Sequence, residues 1–281
     1  MIEPLQKDNA FLADLARPPE ERDELRLWWL GQSGFLVRFG GKFLLLDPYL
    51  SDSLTEKYVA TDKPHVRLTE RVIAPERFTH ISVVTSSHNH TDHLDAATLI
   101  PLREANPWMQ IVIPEANREF VAERLAMSPR ALTGLDDGTH TNIAGFEIHG
   151  IAAAHDAIDR DSAGHCHHLG YIIRCGPWTL YHSGDTLLYP GLVEKLRAFE
   201  IDVALLPING RSPERRVAGN LDGAEAAQLA HDIVATCVIP CHYDMFAFNT
   251  ADPADLFIPE CSRLLQPHRV LHAGEGWSLK R

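Results

Sequence analysis

The alternation of apolar and polar positions along the chain predicts two successive runs of short β-strands. In the first run, strands are predicted at residues 25–29, 35–39, 42–46, 81–85, 111–113 and 146–152. In the second run, they are predicted at residues 169–174, 178–181, 203–206 and 238–240. Segments with helical spacing, at 95–105, 116–127 and 223–234, come between strands in both runs. This order predicts an α/β protein in which two sheets pack face to face beneath outer helices.

The remaining segments predict how the chain is divided. Residues 1–24 are predicted to form an N-terminal helical extension, with a short helix within 7–24 followed by a charged linker. Residues 51–75 are polar, contain Pro64 and show no clear period, which predicts a long loop that could act as a lid. No segment rich in Gly, Ser or Pro separates the two runs of strands, so we expect residues 1–281 to form a single domain.

Composition narrows the classes of partner and location. A formal net charge of −12 disfavours binding to nucleic acid and leaves a small molecule as the expected partner. No stretch approaches the roughly 18 consecutive apolar residues that a membrane span needs, and no N-terminal secretory signal is recognisable. Five scattered cysteines, an odd number, predict reduced thiols and a cytoplasmic location. A homo-oligomer is compatible with the sequence.

The most informative motif is SSHNHTDH (residues 86–93), which directly follows a predicted buried strand. On a helix, His88 and His90 would point about 200° apart, whereas a tight turn from strand to helix lets them converge with Asp92 and His93. Imidazole and carboxylate are ligands for zinc, manganese or iron. The alternative is a histidine-rich surface turn without a ligand.

Three further ligand candidates lie in the second half of the chain, each after an apolar run: His155, Asp185 and His242. A two-metal site needs more ligands than one motif supplies, and a residue at the end of a strand is directed to the open edge of a sheet. Taken singly, each has an ordinary alternative, such as a loop histidine or an aspartate that forms a turn beside Gly184.

Together these residues resemble the metallo-β-lactamase superfamily, from about Leu27 onward. Its members have a four-layer αββα sandwich that holds two metals at the sheet edge. More narrowly, WWLG (28–31), YHSGD (181–185) and VIPCHYD (238–244) are similar to the ascorbate-6-phosphate lactonase branch. That branch is in turn similar to N-acyl-phosphatidylethanolamine phospholipase D-like enzymes.

The resemblance implies a role for each matching residue and two divalent metal ions per chain, Zn or Mn. One metal would be held by His88, His90 and His155, the other by Asp92, His93 and His242, with Asp185 bridging both. A hydroxide between the metals would attack the substrate, and Asp92 would also orient it, so Asp92 and Asp185 are the catalytic candidates.

The function expected from this resemblance is hydrolysis of a small anionic substrate, with a phosphorylated sugar lactone as the leading candidate. A phosphodiesterase of the phospholipase D-like type is the alternative within the same fold. A di-iron redox protein is an alternative of another class, and a metal-binding scaffold without turnover is a third. Redox relatives carry a carboxylate two residues after the first histidine, where this chain has His90, and this favours hydrolysis.

Candidate substrate contacts come from two other segments. NGRSPERR (209–216) follows a predicted strand and clusters Arg211, Arg215 and Arg216 behind Asn209, as recognition of a phosphate or carboxylate would require. The alternative is a solvated loop whose arginines pair with nearby acids. His168 closes the run HCHH (165–168), which is interpreted as a pocket segment, an exposed segment or a separate metal site.

Overall fold

Thirteen β-strands form the centre of the structure, a computed structural model that describes residues 1–280. In chain order they are β1 (Leu25–Gly31), β2 (Gly34–Phe39), β3 (Lys42–Leu46), β4 (Ile81–Thr85), β5 (Gln110–Pro114), β6 (Leu132–Leu135), β7 (His140–Ile143), β8 (Phe146–Ala152), β9 (Leu169–Cys175), β10 (Trp178–His182), β11 (Val203–Pro207), β12 (Cys237–Cys241) and β13 (Gly276–Leu279). They form a seven-stranded sheet in the order β13-β1-β2-β3-β4-β5-β6 and a six-stranded sheet in the order β12-β11-β10-β9-β8-β7.

Strand direction brings distant segments to one edge of each sheet. In the first sheet, β1 and β3 are both antiparallel to β2, and β3 to β6 are parallel. In the second sheet, β8 and β10 are both antiparallel to β9, while β10 to β12 are parallel. The carboxyl ends of β1, β3 and β4 therefore meet at the same edge, as do those of β8, β10 and β12.

Seven α-helices accompany the sheets within residues 1–280. They are α1 (Asp8–Leu15), α2 (Ser53–Tyr58), α3 (Ala96–Ala105), α4 (Arg118–Arg124), α5 (Leu192–Arg197), α6 (Gly223–Asp232) and α7 (Phe257–Leu264). Asp95 caps α3, and Asp222 with Glu225 forms a capping box at the start of α6. Within residues 1–280, none of the helices combines the length and apolar character that crossing a bilayer requires.

The core lies between and around the two sheets and draws on both of them. Strands β10, β11 and β12 are buried along their whole length, as expected for parallel strands covered on two faces. Polar contacts also join the sheets, because the Tyr171 hydroxyl donates to the Ser86 carbonyl at 2.8 Å. The predicted α/β arrangement of two packed sheets with flanking helices is confirmed.

Several elements differ from the sequence prediction. Residues 51–75 are not a loop throughout, because α2 lies within them, and six residues are too few to show a helical period. The helix predicted at 116–127 is shorter, since α4 ends at Arg124. Strands β6, β7 and β13 and helices α5 and α7 were missed, because each is short or carries a mixed pattern of buried and exposed positions.

The N-terminal segment is fastened to the first sheet through α1. Phe11 is fully buried in the main core. Asp14 is also buried, and it accepts hydrogen bonds from the Arg26 guanidinium at 2.8 Å and from the Trp28 indole at 2.7 Å. The helix predicted within residues 7–24 is therefore present, and its contacts support our proposal that the chain forms one domain.

We predict that Asp14→Ala lowers the free energy of unfolding by roughly 2–3 kcal/mol, because it leaves the largely buried Arg26 guanidinium without its carboxylate partner. Urea unfolding followed by circular dichroism measures this change. Glu3→Ala is the control, because its ion pair with Lys7 is exposed and should contribute little to the free energy of unfolding. Equal stability of both variants would contradict the docking role of Asp14.

Candidate metal centre

The SSHNHTDH segment forms a tight turn between β4 and α3. The Ser86 hydroxyl donates to the His88 carbonyl at 2.8 Å, and the Leu94 amide donates to the His90 carbonyl at 2.8 Å. This turn brings the rings of His88 and His90 to a centroid separation of 4.6 Å, and those of His88 and His93 to 4.1 Å. The convergence expected from a strand-to-helix turn is therefore present.

The other ligand candidates reach the same place from the second sheet. His155 follows β8, Asp185 follows β10 and His242 follows β12. Gly184 allows this approach, since its φ is +58° and a Cβ there would lie 2.5 Å from Cβ of Ser87. The structure thus brings all seven predicted ligand residues together at one edge of the two sheets.

Three groups of side chains have ligand atoms within 4.8 Å of one another. The groups are His88, His90 and His155; His88, His93 and Asp185; and Asp92, His93 and His242. Asp185 lies between the first and the third, with its carboxylate oxygens 3.7 Å from His155 Nε2, 3.4 Å from His93 Nε2 and 3.4 Å from His242 Nε2. The first and third groups contain the same residues as the two ligand sets that the family resemblance implies, and the second group joins one residue of each set, His88 and His93, to Asp185.

The electrostatics of the cluster suit metal ligands. Burial holds the pKa of His88 well below its ordinary value and also lowers the pKa of His90, which favours the neutral imidazoles that a metal needs. Burial alone would raise the pKa of Asp185, but His242 and His93 outweigh it and keep the pKa well below the usual range. Asp185 is therefore a carboxylate within a largely buried site.

The surroundings of His93 indicate whether a cation fits into the cluster. Burial alone would lower its pKa, yet Asp185 and Asp92 raise it well above the ordinary value. Its buried Nε2 and Oδ1 of Asp185 face each other at 3.4 Å, and neither has a well-formed hydrogen bond within residues 1–280. A shared cation would compensate these carboxylates, so the nitrogen and oxygen donors present fit divalent metal ions such as Zn, Mn or Fe.

Asp47 is a functional residue that the sequence analysis missed. It follows β3, is fully buried, and accepts from the Ser87 backbone amide at 2.8 Å. Its Oδ2 lies 2.6 Å from His93 Nδ1, and this contact leaves Nε2 of that ring directed to the cluster. The signal was available, because Asp47 ends a predicted strand that runs parallel to β4.

Gln32 is the second residue that was missed. It lies in the turn between β1 and β2, where it adopts a positive φ of 52° and is fully buried. Its side-chain amide donates to Asp92 Oδ2 at 2.8 Å and lies 3.1 Å from His242 Nε2. Gln32 therefore links two ligand candidates that are far apart in sequence, although a neutral amide in a glycine-rich turn gave no sign of this role.

The three arginines predicted to contact substrate occupy different surroundings. Arg216 borders the cleft above the cluster and forms an exposed ion pair with Asp62. Arg211 instead forms a two-pronged ion pair with Glu225, with both hydrogen bonds at 2.7 Å. Arg215 bonds to the Asn209 carbonyl and, at 3.2 Å, to the Thr250 carbonyl.

Asn209 and His168, the other predicted substrate contacts, are held within the protein. The Asn209 amide donates to Asn249 Oδ1 at 3.0 Å, and the residue is buried. The ring of His168 lies 5.1 Å from that of His88 and 5.6 Å from that of His155, so it adjoins the histidine group. Burial lowers the pKa of His168 to about 4, which keeps this ring neutral.

The remaining histidines of the HCHH segment have separate partners. His165 lies 3.4 Å from Asp161, and His167 lies 3.0 Å from Asn117 Oδ1. Neither belongs to a group of ligand atoms that could hold a metal within residues 1–280. A separate metal site is therefore not formed by this segment.

A cleft of about 460 Å³ opens above the cluster, and His90, Asp92, His155, Asp185 and His242 line its base. A model of the beta-lactamase superfamily domain matches residues 26–242, which include every ligand candidate. The chain belongs to the metallo-β-lactamase superfamily.

The chain is also similar to individual proteins in sequence and in structure. A UPF0173 metal-dependent hydrolase of Pyrobaculum aerophilum is 29% identical over 231 residues, covering 82% of this chain and 89% of the relative. The structure of a metallo hydrolase from Ignicoccus hospitalis matches with a TM-score of 0.65 at 23% identity, covering 92% of this chain and 99% of the other. A diiron β-hydroxylase from Streptomyces venezuelae matches with a TM-score of 0.67 at 14% identity, covering 94% and 55%. These two structural likenesses show the fold alone.

We predict that the metal-loaded protein holds two divalent ions and that Asp185→Asn loses at least one of them. The carboxylate lies between the two outer groups, where it would offset the repulsion of two cations at close range. Elemental analysis after gel filtration measures the metal content, and circular dichroism checks the fold. His165→Ala is the control and should keep both ions. Retention of both metals by Asp185→Asn would leave Asp185 as a turn residue only.

Proposed function

We propose that the chain is a metal-dependent hydrolase that acts on a small anionic substrate in the cleft. The observation that carries this proposal is the convergence of seven imidazole and carboxylate side chains from four separate turns, five of which line the base of that cleft. The naming of the Pyrobaculum relative as a metal-dependent hydrolase supports it.

In this proposal, the ligand candidates divide between two ions. One would be held by His88, His90 and His155, the other by Asp92, His93 and His242, with Asp185 shared. Divalent cations bound there would lower the pKa of a coordinated water and polarise the bond that is cleaved. We propose either Zn or Mn, because nitrogen and oxygen donors accept both.

The chain's own residues would orient the reaction. Asp92 reaches the cleft, and Gln32 fixes one of its oxygens, so the carboxylate is placed to accept a hydrogen bond from the attacking water. Asp47 holds His93 through Nδ1 and thereby keeps the opposite ring nitrogen turned to the cluster. These contacts restrict the ligands before substrate binds, which lowers the cost of ordering them during the reaction.

Hydrolysis is preferred over di-iron redox chemistry because His90 stands where the redox relatives carry a carboxylate. The fold does not separate the two, since the diiron β-hydroxylase from Streptomyces venezuelae shares it. The ligand set therefore carries this choice. Metal-dependent oxygen consumption by the iron-loaded protein would support the redox alternative.

The cations that border the cleft support an anionic substrate. Arg216 is held only by an exposed ion pair, which contributes little and can be exchanged for a substrate anion. Lys57 also lines the cleft and has no ion pair within residues 1–280. A phosphorylated lactone of the ascorbate-6-phosphate lactonase type is the finer proposal, and a phosphodiester is the alternative.

The setting of the reaction is proposed on composition. The net charge of −12 supports a small-molecule partner over nucleic acid, because an acidic surface repels a phosphate backbone. All five cysteines are free and buried, which supports a cytoplasmic location where thiols stay reduced. A homo-oligomer stays compatible with the chain.

The deciding experiment compares the chelator-treated protein with the same protein reloaded with Zn or Mn. The substrates are a phosphorylated sugar lactone, its dephosphorylated analogue and a phosphodiester, and acid release is followed by pH-stat titration. We expect hydrolysis of at least one compound, lost with chelator and restored by metal. Failure to hydrolyse any of them under either metal, with metal content verified, would reject the proposal and favour a binding scaffold.

We predict that Arg216→Ala and Lys57→Ala each raise KM for the phosphorylated lactone roughly tenfold to a hundredfold. A charged hydrogen bond contributes about 1.5–3 kcal/mol, and if it is equal in ground and transition states, kcat changes little. Arg211→Ala is the matched control, because its guanidinium is paired with Glu225. If both cleft variants keep the preference of the unaltered protein for the phosphorylated compound, neither residue recognises the phosphate.

A further inference from the structure

One wall of the cleft is a stack of aromatic rings. The rings of Tyr58 and His65 are stacked at a centroid distance of 4.1 Å with 17° between their planes. The ring of Phe248 follows at 4.4 Å from His65, and Phe246 closes the group at 5.4 Å. All four residues line the cleft that has the metal-ligand candidates at its base.

The members of this aromatic wall differ in what they already contact. Phe246 is buried in a small core with Tyr49, Leu54 and Met245, so its packing accounts for its presence. Tyr58 and Phe248 are only partly buried and pack against the outside of that core. Their remaining surface therefore faces the cleft rather than the interior.

The cleft has apolar surface on other elements as well. Phe120 from α4 and Val217 from the segment after β11 line it, and each is 40% exposed. Arg124 covers one part of Phe120, with its guanidinium 4.4 Å from the ring centroid. Apolar side chains left in water beside a polar cluster are unfavourable unless a partner covers them, and such surface commonly marks a ligand site.

We propose that the substrate of this centre carries a flat apolar group, such as an aromatic ring, beside the bond that is hydrolysed. This inference rests on the proposed function, which places the reacting bond over the histidine and aspartate cluster. A flat ring can lie against the exposed parts of Tyr58 and Phe248, where offset or edge-to-face contact between aromatic rings adds to the burial of apolar surface. Lys57 directly precedes Tyr58 on α2, and its ammonium lies 5.0 Å from the centroid of the Tyr58 ring, so an anionic group fits at this end of the aromatic wall.

Binding is tested first, by titration calorimetry on the metal-loaded protein. Acetate, phenylacetate and cyclohexylacetate share the carboxylate that reaches the metal centre, and they differ only in the attached group. We expect phenylacetate to bind roughly tenfold to a hundredfold more tightly than acetate, as burial of one ring predicts. We also expect it to bind more tightly than cyclohexylacetate, because only the flat ring stacks.

Variants of the aromatic wall test which residues cause the preference for phenylacetate over acetate. Tyr58→Ala and Phe248→Ala should each reduce the ratio of phenylacetate to acetate affinity at least threefold, and the double variant should bring it close to one. Trp108→Ala is the control, because this ring is 93% exposed and does not line the cleft. Phe248→Leu keeps apolar volume without a ring, and it should retain part of the preference even if the alanine variant folds poorly.

Hydrolysis is then compared for ethyl phenylacetate and ethyl acetate, with acid release as the readout. A lower KM for the phenyl ester, lost in the wall variants, supports the inference. Equal KM values for the two esters, with metal-dependent turnover of both, overturn the inference and leave the proposed function standing. If neither ester nor any lactone or phosphodiester is cleaved, the proposed function fails, and calorimetry still decides whether the wall binds a flat group. Equal affinity for acetate and phenylacetate overturns the inference that the wall binds a flat apolar group.

Discussion

The common direction of the strands is the constraint on which the rest of the structure depends. Each ligand candidate stands in a turn just beyond the carboxyl end of a strand, and the hydrogen bonds of the two sheets fix where those ends lie. A slip of one residue in a ladder would turn the following side chains to the opposite face. Residues as far apart in sequence as Gln32 and His242 can therefore meet at 3.1 Å.

A second layer of contacts makes this meeting chemically specific. Asp47 and Gln32 both follow strands of the first sheet. Asp47 contacts Nδ1 of His93, the ring nitrogen that is turned away from the cluster, and Gln32 donates a hydrogen bond to one carboxylate oxygen of Asp92. The cluster itself is a balance of opposite charges, in which neighbouring imidazoles lower the pKa of the buried Asp185 and of the half-buried Asp92. The sheets supply position, and the second layer supplies orientation and protonation state.

The sequence predicted the part of this arrangement that is written in local patterns. The SSHNHTDH motif and the strand-end positions of His155, Asp185 and His242 predicted the candidate metal centre. Apolar runs indicate strands, and ionisable residues at the ends of those strands indicate the sheet edge where a site can form. Contacts between distant segments carry no such local signal. The ion pair of Arg211 with Glu225, the amide bond of Gln32 to Asp92 and the stack of Tyr58 on His65 each depend on how loops meet in space.

The aromatic wall has an evolutionary consequence. Tyr58 and His65 belong to residues 51–75, a segment that contributes no member of the metal-ligand groups. Mutations there can reshape the cleft without disturbing the charge balance beneath it, so selection for a new compound need not pass through an inactive intermediate. Such separation of a fixed reactive base from a variable part of the wall would let one ancestral scaffold acquire new substrates through changes at Tyr58 and His65.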